Sequence, residues 1–287
     1  MKSVLGIYTA PASHWVGDGF PVRTLFSYDR MGKQLSPFLL LDLAGPSEFS
    51  PARTPRGVGE HPHRGFETVT IVYSGEVDHR DSAGNGGSIG PGDVQWMTAG
   101  AGVMHEEFHS EGFTRHGGKL QMAKLWVNLP AKDKMTRPQY QTILSETIPE
   151  VALDNDAGRV RVIAGDFSGV AGPARTFTEL NVWDVRMKTG ATCKLEFPEG
   201  HNAILAVLQG QVEVGTGQHL GEADLAILSA AGSGAWLRAK SDVTLLALSG
   251  RPIEEPIVGY GPFVMNTRTE IVAAFNDLEA GRFGQLE

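Results

Sequence analysis

Two short segments of this chain carry residue types that can hold and use a metal ion. The first, HPHRGFE (61–67), sets two imidazoles at positions i and i+2. On an extended chain alternate side chains share a face, so His61 and His63 can reach one ion together. Pro62 between them donates no backbone hydrogen bond, which suits a sheet edge or an irregular entry to a strand. The second segment, AGAGVMHEEFH (99–109), repeats the spacing with His105 and Glu107. The same alternation turns Glu106 to the opposite face. Two such pairs on two strands make a site of three nitrogens and one oxygen, with water or substrate completing the coordination. Five of the nine histidines lie between His61 and His109. His109 shares the parity of His105 and reads as a solvent-exposed strand end, whereas His79 and His116 read as loop or turn residues.

Strands must position these ligands, and the sequence between them is strand-like. Residues 67–77 (ETVTIVYSGEV) are β-branched and aromatic, residues 81–87 (DSAGNGG) reverse the chain, and residues 90–97 (GPGDVQWM) turn once more into a strand. Ser36–Gly45 (SPFLLLDLAG) reads as a buried strand. A weak repeat follows at a spacing near 135 residues: Ser74-Gly75-Glu76-Val77 is echoed by Gln209-Gly210-Gln211-Val212, and Asp93 by Asp224. The expectation is an all-β fold of two similar barrels, dividing the chain into 1–135 with the metal and 136–287 without. A helix ends the second part. Asn266 or Thr267 caps it, Ile271, Ala274, Phe275 and Leu278 fall at helical spacing, and Gly281 stops it.

Composition narrows the function classes. Thirty-six glycines and sixteen prolines among 287 residues favour turns and short strands over long helices. The formal charge of −8, without a basic run, disfavours direct nucleic-acid binding. A single cysteine, Cys193, fits a reducing compartment. No stretch approaches 18 apolar residues and no secretory leader is visible, so the expectation is a cytoplasmic protein with no membrane role.

The segments SPFLLLDLAG (36–45), GEHPHRGFETVTIVYSGEVDHRDSAGNGGSIGPGDVQWMTAGAGVMHEEF (59–108) and LWVNLPAKDKMTRPQYQ (125–141) resemble the pirin family of the cupin superfamily. The tail EEPIVGYGPFVMNTRTEI (254–271) resembles that of pirins as well. This resemblance implies a bicupin of two stacked β-barrels with metal only in the N-terminal one. It puts the ligands at His61, His63, His105 and Glu107. In many other cupins the ligand carboxylate falls four residues after the second histidine, where Glu67 stands; the pirin pattern makes Glu67 a supporting partner or a proton acceptor. Aligned on the repeat, His61 and His63 correspond to Glu196 and Pro198, and His105 to a position near Trp236. The second barrel is therefore expected to have lost its site, with Phe197 and Trp236 filling it and Cys193 packed as a strand thiol. His201 and His219 match no ligand position.

By resemblance, the cofactor is one divalent metal per chain, iron(II) first, with manganese, cobalt, nickel, copper or zinc open. Some pirins resemble quercetin 2,3-dioxygenases, which open a flavonol ring with O2 and release carbon monoxide. The flavonol 3-hydroxyl would lose its proton to Glu107 or Glu67, and Val69, Ile71, Trp96, Met97 and Met104 would receive the rings. Other pirins are linked to protein partners, so the alternative is a non-enzymatic, iron-dependent redox regulator of a transcription factor or metabolic enzyme. Cupins also host hydrolases and isomerases.

Overall fold

The computed structural model describes residues 1–286. Strands dominate, and they gather into two compact units. The histidine unit contains Ala12–Thr24, Leu39–Ser145 and the tail from Glu254 onward; the second unit contains Met1–Pro11, Leu25–Phe38 and Glu146–Ile253. The C-terminal helix, which the linear division groups with residues 136–287, thus belongs by contact to the histidine unit.

In the histidine unit a large sheet runs in the order Gln139–Ile143, Val94–Thr98, Phe66–Ser74, Gly118–Asn128, Phe38–Phe49, Phe20–Ser27, His14–Val16. A small sheet runs Gly57–His63, Val103–His109, Val77–Asp81, Gly86–Ile89. All the ladders recorded within these two sheets are antiparallel, so each strand offers one face to the interior. The second unit repeats the plan. Its large sheet includes Asn202–Gln209, Asp224–Leu228 and Val243–Gly250, and its small sheet includes Thr192–Glu196 and Gly234–Ala239. Each unit is therefore built like a jelly roll from two separate sheets, where closed barrels were expected.

The repeat seen in the sequence marks equivalent turns. Gly75 and Gly210 have φ of 81° and 84°, and a Cβ on Gly210 would stand 2.0 Å from the carbonyl oxygen of Asp242. Only glycine suits such a turn. The second unit's interior is apolar: Trp183 stacks on Phe197 with ring centroids 5.3 Å apart, above Leu195, Leu205, Leu237 and Leu245. Cys193 is buried there, and burial pushes its thiol up to about 11. Trp236 does not fill this interior; it is 49% exposed, because the inward positions of its strand fall to Ala235, Leu237 and Ala239.

The helix spans Arg268–Glu279 and starts with a capping box, Thr267 Oγ1 accepting from the Glu270 amide and the Glu270 carboxylate accepting from the Thr267 amide. Ile271 and Ala274 pack with Phe263, Met265, Phe283 and Met104. Arg64 ties the helix down through Asp277 at 2.8 Å.

Candidate metal centre

The strands Gly57–His63 and Val103–His109 pair side by side, with His61 opposite His105 and His63 opposite Val103. A register shift between His105 and Glu107 separates the latter from the imidazoles. Burial along Val103–His109 alternates, with His105 and Glu107 inside and Glu106 less buried, meeting Arg80. The rings of His61, His63 and His105 converge, with centroids 4.1 to 5.0 Å apart, and their ligand atoms lie within 4.8 Å of one another. Glu107 belongs with His105 and His79 in a second group of the same compactness. Its Oε1 accepts from Lys124 Nζ at 2.5 Å, Thr70 Oγ1 at 3.3 Å and Gln95 Nε2 at 3.5 Å.

Hydrogen bonding aims the imidazoles. His61 Nδ1 donates to the Gly59 carbonyl at 2.8 Å and His63 Nδ1 to the Pro262 carbonyl at 3.3 Å. That leaves both Nε2 lone pairs free to coordinate. His105 Nε2 is fully buried and has no hydrogen-bond partner. A buried polar atom without a partner is costly, and a metal ion is the partner its lone pair suits. Burial holds the three imidazoles neutral: it pushes His63 down to about 3, His105 well below the usual histidine value, and His61 down also. Burial opposes the charge of Glu107 too, but the Lys124 ammonium, then His79, outweigh it and hold the carboxyl at about 2. Neutral imidazoles and an ionised carboxylate are the forms that bind a divalent cation, so the residues present fit one.

Several positions differ from the sequence expectation. His79 is not in a loop: it lies on Val77–Asp81, fully buried, with Nε2 donating to Asp81 at 3.3 Å and Nδ1 accepting from Gln95 at 3.1 Å. Both its ring nitrogens are engaged. The same two-residue spacing that singled out the ligand pairs is present in His79 and Asp81. His109 is buried rather than exposed, edged by Phe20, Phe49 and Phe113, with Nε2 donating to the Gly19 carbonyl at 2.9 Å. His116 ends a short helix, its Nδ1 on the Gly112 carbonyl.

Glu67 stands on the opposite sheet face from the cluster. It pairs with Thr98, whose hydroxyl donates to it at 2.8 Å, while the neighbouring Thr70 and Gln95 point to Glu107. Simple parity from His63 fails because Gly65, at φ 88°, kinks the chain between them. Burial raises the Glu67 carboxyl to about 7. Val69, Ile71 and Trp96 share that far face, since Val69 pairs with Trp96 and Ile71 with Val94. Met104 turns toward the C-terminal helix. Met97 stays on the cluster's side, paired with Thr68 and packed near Tyr140. Around the cluster stand residues not singled out from the sequence. Trp126 meets His63 at 5.3 Å, Tyr140 stacks on His79 at 4.8 Å, and Lys124 and Thr70 hold Glu107. Lys124 is the one charge within the apolar run 122–127 of its strand, the one signal that could have found it.

Comparison with known proteins identifies the family. The family model for pirin matches residues 19–127, and that for the pirin C-terminal cupin domain matches residues 182–284. A Pseudomonas aeruginosa protein named "Putative quercetin 2,3-dioxygenase" is 57% identical over 283 residues, covering 99% of both chains. The crystal structure of a quercetin 2,3-dioxygenase from Acinetobacter baumannii superposes with a TM-score of 0.97 at 55% identity, covering 99% of both chains. A bacterial pirin from Escherichia coli, determined in complex with nickel(II), shares the fold at a TM-score of 0.65 and 20% identity, covering 86% of this chain and 100% of that one. From these matches over most of its length, the chain belongs to the pirin family.

Proposed function

We propose that this pirin is a metal-dependent dioxygenase of the quercetin 2,3-dioxygenase type, opening a flavonol ring with O2 at a divalent ion, iron(II) foremost. The observation that carries this reading is the convergence of the neutral imidazoles of half-buried His61 and buried His63 and His105, the last with its Nε2 unpartnered, near an ionised Glu107. The names of the close relatives support the substrate class. His61, His63 and His105 would hold the ion and Glu107 would complete the donor set. Such an ion supplies Lewis acidity and a template on which an organic oxygen and O2 meet.

The chain's own residues do the rest. Gly59 and Pro262 carbonyls fix the two imidazole tautomers, so the coordinating nitrogens are set before ligand arrives. Glu107 is the carboxylate facing the cluster, and its Oε atoms accept the proton of a hydroxyl presented there; Glu67, on the far face, is not placed for this. Trp126 and Tyr140 offer aromatic surface to flat rings, and buried Met97 backs Tyr140 and excludes water. Metal-loaded protein is expected to consume quercetin and O2 together over many turnovers, with carbon monoxide released, and His63→Ala to abolish this. Loaded protein that turns over no flavonol, yet binds a protein partner according to the metal's oxidation state, would replace this reading with the regulatory one.

A further inference from the structure

Lys124 is the charge that the metal chemistry alone does not require. It lies on Gly118–Asn128 directly opposite Thr70, and its side chain reaches the cluster with little exposure. Its ammonium donates to Glu107 Oε1 at 2.5 Å and to Thr70 Oγ1 at 3.1 Å. An ammonium has three donors, so one remains beyond these two bonds. The unpartnered Nε2 of His105 and Oε1 of Gln95 are buried beside it in the same interior.

Two consequences follow from charge and geometry. Lys124 and a bound cation both draw on Glu107, whose carboxylate accepts from Lys124 and groups with His105 and His79. Neutral imidazoles, the carboxylates of Glu107 and of Asp81 behind His79, and one ammonium sum to −1, so a divalent ion leaves the centre with one uncompensated positive charge. In a buried site such an excess is strongly favourable to an anion.

We infer that Lys124 competes with the metal for Glu107 and makes the loaded centre a receptor for an organic oxyanion, an enolate or a carboxylate, in preference to a neutral ligand of the same shape. This rests on the metal-centre reading above. Within it, Lys124 is a positioning and specificity residue: it weakens the fourth ligand, opens coordination space, and offers its spare N–H to the anion.

The test uses the full-length protein, nickel(II), the dianion oxalate and its uncharged analogue oxamide. Nickel affinity of the metal-free protein is measured by competition with a chromophoric chelator, and anion affinity of the loaded protein by calorimetry. Lys124→Gln is expected to raise nickel affinity about tenfold and to lower oxalate affinity about tenfold, leaving oxamide unchanged. Lys124→Arg is expected to restore both wild-type values. Should an unpaired Glu107 prevent Lys124→Gln from folding, Glu107→Gln supplies the reciprocal case, freeing the ammonium and strengthening oxalate binding. Nickel affinity that falls in Lys124→Gln, or oxalate affinity unchanged there or weakened in Glu107→Gln, overturns the inference. Wild-type protein that binds no nickel overturns the metal centre itself, a failure visible before any variant is made.

Discussion

At the residue scale the centre is a competition between burial and charge. Three imidazoles are kept neutral by burial, His61 and His63 donate their Nδ1–H to the Gly59 and Pro262 carbonyls, and the ligand atoms of the three rings lie within 4.8 Å of one another. That arrangement makes the metal-free protein acid-sensitive. His63 titrates near 3 when folded and near the ordinary histidine value when unfolded, so the unfolded chain binds more protons in the interval between. Stability of the metal-free protein is therefore expected to be full above about pH 6.5 and to fall as the pH drops toward 3. Denaturant midpoints measured across that range check this, and a His63→Gln variant should show a shallower decline. Asp81 acts through His79, whose ring contacts His105. Asp81→Asn is expected to lower metal affinity by roughly 10-fold to 100-fold, as loss of an orienting partner does; affinity within twofold of wild type would remove His79 and Asp81 from the account.

Elements explain which parts of the site were legible in the sequence. The alternation of His105, Glu106 and Glu107 was readable because Val103–His109 is an uninterrupted strand with one face inward. Parity failed between His63 and Glu67 because Gly65 breaks the strand, and with it went the placement of Val69, Ile71 and Trp96. Trp126 and Lys124 escaped notice since they come from a strand distant in sequence, brought beside Thr68 and Thr70 by ladder pairing. Gly65 is itself a strong constraint: a Cβ there would stand 2.1 Å from the Val264 carbonyl oxygen. Gly65→Ala is expected to destabilise by roughly 2–4 kcal/mol and to disturb metal binding, because the segment it anchors includes Pro262, which orients His63. The helix behaves differently. Thr267→Ala removes half of a capping box and should cost about 1 kcal/mol in thermal or denaturant unfolding, with metal content unchanged.

Across the whole molecule, the two jelly rolls share their turns but not their chemistry. The repeat of Gly75 and Gly210 was visible in the sequence, as was the replacement of His61 and His63 by Glu196 and Pro198. Less visible was how the chain divides, because segments near both ends join the unit that lies mostly elsewhere in the sequence. Packing of Phe263, Ile271 and Phe283 with Met104 is decided by tertiary contact, which helical periodicity does not report. The second unit's interior holds Trp183, Phe197 and leucines, and among the described residues it has no donor set like that of the first. One ion per chain is therefore the expectation. Anomalous diffraction at the nickel edge from nickel-loaded crystals tests this most directly. A single peak is expected at about 2.1 Å from the Nε2 atoms of His61, His63 and His105. A peak held instead by His79 and Glu107, a peak in the second unit, or no peak at all would contradict it.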